Sequence, residues 1–166
     1  MELFIGPWYP QTNYGQSSRS WYTGRVIKMD MALGSSMGNN DYQCRVLVVD
    51  DNEPTRKLLK TFLQGFGAKI VGEAADGEEA VRVFHECKPD LTFLDLEMPV
   101  KNGKDVLREI IEKDPTAHVV IVTATSELKV ANWCADAGAQ NYIRKGVSPG
   151  VLKLMLKAQL DLCEAC

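Results

Sequence analysis

Five side chains in this sequence have the types needed to move and hold a phosphoryl group: Asp50, Asp51, Asp95, Thr123 and Lys145. Each stands at or just after the end of a short apolar run. Three carboxylates brought together repel one another unless a cation neutralises them. An oxygen-only donor set suits Mg²⁺, typically held by one or two carboxylates plus phosphate oxygens. With no Cys or His in the set, zinc is disfavoured. A carboxylate can also be the nucleophile and form an aspartyl phosphate. Such a transfer needs alignment and charge stabilisation on the equatorial oxygens. The metal, Thr123 and Lys145 would each take one. Singly, the residues have plainer readings: an N-cap with a solvated neighbour for Asp50-Asp51, a turn for Thr123, a surface lysine for Lys145. Their joint placement decides between the two.

That placement depends on the elements between them. From Cys44 onward, short apolar runs alternate with amphipathic stretches. Arg45 to Val49, Lys69 to Glu73, Leu91 to Leu94, His118 to Val122 and Gln140 to Ile143 read as strands. Helices are expected from Asn52 or Glu53 with Pro54 in the first turn, from about Asp76, over Gly103 to Lys113, over Ser126 to Ala137, and from about Pro149. Five βα units with strands apolar throughout imply an α/β fold, a five-stranded parallel sheet doubly wound by helices on both faces. Ligands of such folds bind beyond the carboxyl ends of the strands, at the topological switch point. Asp50, Asp51, Asp95, Thr123 and Lys145 all fall at that edge.

At these positions the sequence resembles the receiver domain of two-component response regulators, chemotaxis-type and stand-alone. The matching segments are Val48-Val49-Asp50-Asp51-Asn52, Pro89 through Pro99 around Leu94-Asp95-Leu96-Glu97-Met98, Val122-Thr123-Ala124, Ala137-Gly138-Ala139 and Tyr142-Ile143-Arg144-Lys145. Five short motifs in the family's order cover about residues 44–162. The resemblance implies the (βα)5, flavodoxin-like receiver fold over 42–166. It implies Asp95 as phosphoacceptor, charged by a phosphohistidine on a sensor histidine kinase or histidine phosphotransfer protein. Asp51 would bind Mg²⁺ directly, Asp50 largely through water, with Asp95 and the backbone carbonyl of Glu97 completing the set. Lys145 would contact the phosphoryl group, Thr123 would move to bind it, and Tyr142 would turn inward. These shifts re-sculpt the face of helix four, strand five and helix five for a downstream target, or the phosphate is relayed onward. Two departures stand out: Asn102-Gly103 where the family often has Asp-Gly, and Gly146 where it usually has a proline, commonly cis, after the lysine.

On helix four, Leu128, Ala131 and Ala135 would adjoin the outer stripe of the last helix and, with Tyr142, make up the expected partner face. The last helix is apolar on two stripes, Leu152, Met155, Leu156, Gln159 and Val151, Leu154, Ala158, Leu162. One must cover the sheet and the other is expected to bind a partner or a second copy, giving a homodimer. Glu97, two residues past the acceptor, is placed to orient or repel an attacking water. His85 and His118 read as surface or strand-edge residues.

The rest of the sequence sets bounds. Its 166 residues, 45% hydrophobic and 25% charged, describe a globular chain. A net charge of −3 gives no reason to expect DNA binding. No apolar run suits membrane insertion and no export signal is visible, so a cytoplasmic location is the default. Residues 1–41 are rich in Gly, Ser, Asn, Gln and aromatics without sustained period, and read as a poorly ordered extension. Met29, Met31 and Met37 are alternative starts, so the extension need not be native. The alternative is an aromatic arm that docks a partner. The five cysteines are expected to be small core thiols, and Cys163-Glu164-Ala165-Cys166 a frayed helix end. With about twenty residues after Lys145, no effector domain or catalytic module is expected, and the chain reads as not an enzyme. A haloacid-dehalogenase-type phosphohydrolase would place its nucleophile after the first strand and its acidic pair last, the reverse of this order. A flavodoxin-type cofactor binder would want a phosphate-cradling loop where Asp50-Asp51 stand. A receiver fold acting as a non-phosphorylated binding module is the remaining alternative.

Overall fold

The computed structural model describes residues 43–163; the extension assigned to 1–41, and Cys166, lie outside the described residues. Five strands and five helices alternate: β1 (Arg45–Val49), α1 (Glu53–Gly65), β2 (Lys69–Ala74), α2 (Gly77–Cys87), β3 (Leu91–Leu94), α3 (Gly103–Lys113), β4 (Val119–Thr123), α4 (Leu128–Asp136), β5 (Asn141–Arg144) and α5 (Pro149–Cys163). The strands form one parallel sheet in the order β2-β1-β3-β4-β5. The direction of winding reverses between β1 and β3, so the chain leaves these two strands in opposite senses and opens a crevice at their carboxyl ends.

Strand side chains alternate between two cores. Leu47, Val49, Leu94, Val119 and Ile121 join α2, α3 and α4 residues such as Phe84, Leu107 and Cys134. Val46, Val48, Phe93, Val120 and Val122 join Leu59, Leu63, Leu152, Leu156 and Leu160 of α1 and α5. Both faces are therefore covered, which explains why the central strands carry no polar alternation. Of the two α5 stripes, Leu152, Leu156 and Gln159 are buried, whereas Val151, Leu154 and Leu162 are exposed. No described helix is long and apolar enough to cross a membrane.

Local chemistry sets the helix starts. Asn52 caps α1, its side chain accepting from Thr55 N at 3.0 Å; Asp76 caps α2 through Glu78 N and Glu79 N. Asn102 caps α3 by accepting from Asp105 N at 3.0 Å, so Asn in place of Asp keeps the turn intact. Each such cap contributes about 1 kcal/mol. Helix α4 starts two residues later than its apolar pattern suggests: its N-cap position is Glu127, which makes no side-chain cap bond.

The cysteines depart from the expectation of scattered core thiols. Cys87 and Cys134 are free, but Cys44 and Cys163 form a disulfide across 119 residues of sequence. The packing of α5 against the start of β1 brings them together, a juxtaposition that sequence spacing does not reveal.

Candidate phosphoacceptor site

The crevice between β1 and β3 collects the acidic side chains at the strand ends. Asp50 follows β1 and is fully buried; its amide donates to Ala74 O at 3.1 Å, and its Oδ1 accepts from Asn52 N at 3.0 Å. Asp51 is exposed at the rim. Because Asn52 is the cap of α1, the Asp pair is not spent on capping. Asp95 follows β3, buried, with its amide bound to Val49 O at 2.9 Å. Its Oδ1 accepts from Leu96 N at 2.7 Å and Glu97 N at 3.4 Å, which fixes the carboxylate plane. Carboxylate oxygens of Asp50, Asp51 and Asp95 all lie within 4.8 Å of one another.

Lys145 enters from the end of β5, its amide held by Thr123 O at 2.8 Å. Its Nζ lies 2.6 Å from Asp95 Oδ2 and 2.7 Å from Asp50 Oδ2. Among the described residues Lys145 is thus the one cation in contact with Asp50 Oδ2, an oxygen that is otherwise buried without a hydrogen-bond partner. Burial, the largest influence, holds the Asp50 carboxyl above its ordinary range despite Lys145. For Lys145, burial acts to lower the pKa, but its contacts with Asp50 and Asp95 outweigh this and raise it. The ammonium is thus firmly charged, one cation against three carboxylates. Three carboxylates within 4.8 Å of one another, all oxygen donors and with a single ammonium against them, are a donor set that a hard divalent cation fits.

Thr123 ends β4, fully buried, and its Oγ1 accepts from Thr125 N at 3.4 Å. Tyr142 on β5 is half-buried and its hydroxyl donates to the carbonyl of Thr125. Desolvation, and then the proximity of Cys134 and Glu97, push its phenol pKa up. The Thr125 hydroxyl donates to the Glu97 carboxylate. Glu97, Thr125 and Tyr142 are therefore one hydrogen-bonded set beside the strand ends. Every described peptide bond is trans, Lys145–Gly146 included, and Lys145 still reaches Asp95 without the proline. Leu128 and Ala135 are exposed on α4, with Ala131 half-buried. His85 is exposed and lines a separate cavity with Phe84, Lys88, Pro89, Lys113 and Asp114.

Three contributors escaped sequence reasoning. Gly103 N donates to Leu96 O at 2.9 Å, and its bare Cα lies against the Asp95 peptide: a Cβ there would come within 2.0 Å of Asp95 O. Its place beside the cap residue Asn102 made it look like an ordinary turn glycine. Thr125 carried no visible signal, since its contacts depend on the β4–α4 loop. Val100, at the tip of the loop after Asp95, is 78% exposed with φ +65°, a conformation that disfavours β-branched residues.

Residues 46–157 match the family model of the response regulator receiver domain. The chain is 37% identical over 105 residues to the chemotaxis protein CheY of Thermotoga maritima, covering 63% of this chain and 88% of that one. The crystal structure of the response regulator domain of Thermotoga maritima CheB superposes with a TM-score of 0.69 at 31% identity, covering 75% of this chain and 98% of that domain. The CheY chain in a CheX-CheY-BeF3-Mg complex from Borrelia burgdorferi gives a TM-score of 0.62 at 33% identity, covering 67% and 86%.

Proposed function

This chain belongs to the response regulator receiver domain family, and from that membership we propose that it is a single-domain response regulator in which Asp95 accepts a phosphoryl group from a phosphohistidine. The donor is a sensor histidine kinase or a histidine phosphotransfer protein. An Asp95 carboxylate oxygen attacks phosphorus, the P–N bond to the histidine breaks, and the imidazole leaves with its electron pair. Asp51, Asp95 and the Glu97 carbonyl, with Asp50 beside them, would hold a Mg²⁺ ion, which when bound would neutralise charge on the incoming phosphoryl oxygens. Lys145 orients the acceptor beforehand and takes a phosphoryl oxygen afterwards. Thr123 moves toward the same group, and Tyr142 turns into the space it leaves. The observation that carries this reading is Lys145 Nζ set between Asp50 and Asp95 at 2.7 and 2.6 Å.

The output is placed on the α4-β5-α5 face. Leu128 and Ala135 on α4 and Val151 and Leu154 on α5 are exposed, and Ala131 and Tyr142 are half-buried. A downstream protein, or a second copy of this chain, would cover them in the cytoplasm, with neither DNA nor membrane as partner.

The test is intact-mass analysis after incubation with acetyl phosphate, with and without Mg²⁺, on the parent and on Asp95→Asn. The parent should gain one phosphoryl group only with Mg²⁺, and Asp95→Asn none. A parent that gains nothing, from acetyl phosphate or from a phosphorylated histidine protein, would make this a non-phosphorylated binding module.

A further inference from the structure

The Cys44–Cys163 disulfide plays no part in phosphoryl chemistry. In a parallel sheet Asp95, beyond the end of β3, and Cys44, before the start of β1, lie at opposite edges. Both cysteines belong to the α1/α5 core, the cluster that also holds Leu63, Ala68, Leu91 and Leu160. The two anchors differ in firmness. Cys44 is fully buried and built into the sheet: its carbonyl accepts from Lys69 N at 2.9 Å. The next residue is fixed as well, Arg45 N donating to Asp90 Oδ2 at 2.8 Å and its guanidinium to Cys87 O at 2.6 Å. Cys163, by contrast, is held by α5 alone, in the last described turn of that helix, and is buried at 7% exposure. A helix turn outside the sheet can open locally at a free energy below that of global unfolding.

We propose that the Cys44–Cys163 bond is a thiol-controlled tie that fastens the end of α5 to the sheet and releases it on reduction. A dithiol reductant attacks the Cys163 sulfur when the last turn opens. The S–S bond breaks, each sulfur takes up one electron and one proton, and the reductant leaves as its own disulfide. The freed thiols stay compatible with the apolar core, because a thiol packs as a small hydrophobe. Reduction therefore loosens the helix end without unfolding the sheet. Helix α5 is one wall of the proposed output face, so the tie gives that wall a second control, remote from the acceptor. That consequence rests on the proposed output face; the tie itself does not. In a reducing compartment a disulfide of this kind is transient and sensing in character rather than a permanent staple.

The experiment uses the full chain. Peptide mapping of protein oxidised with a mild disulfide should recover Cys44 linked to Cys163, and dithiothreitol without denaturant should free both. Hydrogen–deuterium exchange should then show the last turns of α5 exchanging on the order of tenfold faster or more in the reduced form, with β1, β3 and β4 unchanged. Cys44→Ala should exchange like the reduced parent whether or not dithiothreitol is present. Should that variant not fold, the oxidised and reduced parent forms still decide the matter. Equal α5 exchange in the two forms, a Cys163–Cys166 linkage instead, or a bond that yields only in denaturant would overturn the proposal. Phosphorylation of Asp95 by acetyl phosphate, run alongside, should proceed equally in both redox states. Its failure would count against the acceptor reading and leave the α5 result standing.

Discussion

Substitution Gly103→Ala should damage acceptor and fold together, and the structure sets the scale. An added Cβ would lie 2.0 Å from Asp95 O, 2.6 Å from Leu96 Cα and 2.8 Å from the Asp95 carbonyl carbon. Non-bonded carbon–oxygen contacts settle near ~3.3 Å, so backbone must shift by roughly 1 Å. Every atom struck is main chain, so no rotamer change relieves the clash. Overpacking of this kind costs about 1–3 kcal/mol. Stretching the Gly103 N–H bond to Leu96 O adds about 1 kcal/mol. The helix preference of Ala over Gly returns at most about 1 kcal/mol. The net expectation is a loss of about 2 kcal/mol in urea unfolding. Because the displaced peptide belongs to Asp95, a shift near 1 Å should also slow phosphorylation by acetyl phosphate about 100-fold. Gly65→Ala is the control: Gly65 lies in α1 with nothing within 4 Å of the added carbon. It should be neutral or stabilising by up to about 1 kcal/mol, with parental phosphorylation. If Gly103→Ala unfolds at the parental urea concentration and phosphorylates at the parental rate, the close-approach argument is wrong.

Val100→Asn should stabilise the domain by about 1 kcal/mol, since Asn tolerates the left-handed region that valine resists; an unchanged or lower urea midpoint would refute the strain. Asp50→Asn should stabilise the metal-free protein at pH 7–8. Burial raises the folded pKa of Asp50, so the unfolded state loses that proton first and ionisation opposes folding above the folded value. The gain should fade as pH falls through that raised value; thermal unfolding in EDTA across pH checks it, and a less stable Asp50→Asn at pH 7 would contradict it. Thr125→Ala removes the hydroxyl that holds the Glu97 carboxylate and should change the acyl-phosphate lifetime several-fold, as loss of one hydrogen bond would. Glu97→Gln should alter it as well, and parental dephosphorylation in both variants would remove Glu97 from the hydrolysis step.

The strands and the acidic edge were legible because their signals are local. Runs such as Arg45–Val49 need only contiguous apolar residues, and a parallel sheet then carries the residues just past each strand to one edge. Asp50, Asp51, Asp95 and Lys145 meet there for that reason alone. The features that stayed hidden depend on loop conformation or distant packing. Nothing in Met98-Pro99-Val100-Lys101 signals a positive φ, because the usual markers, Gly and Asn, are absent from that position. The start of α4 was blurred because Ser126 and Glu127 continue a helical pattern, yet no side chain caps the helix there. The Cys44–Cys163 pair needed the final placement of α5, which periodicity orients but does not position along the sheet. Gly103 looked like turn punctuation because glycine is read by its φ. Here the requirement is space.

The bridging position of Lys145 also decides which variants can separate stability from phosphoryl chemistry. At an effective dielectric of about 20, carboxylates near 5 Å apart repel by roughly 3 kcal/mol. One ammonium within 2.7 Å of both Asp50 and Asp95 offsets much of this. Lys145→Met therefore removes a prospective phosphoryl contact and strands Asp50 at the same time, since that carboxylate has no other cation in contact among the described ion pairs. A slow phosphorylation rate in Lys145→Met alone would confuse the two effects. The double variant Lys145→Met/Asp50→Asn relieves the stranded charge while still lacking the phosphoryl contact. If Lys145 matters chiefly as a counter-ion, adding Asp50→Asn should restore the metal-free stability lost in Lys145→Met. If it also acts on the phosphoryl group, Lys145→Met should lower the rate by the same factor in either Asp50 background at saturating Mg²⁺. Stability and rate measured on all four proteins would separate charge compensation from phosphoryl contact in one cycle.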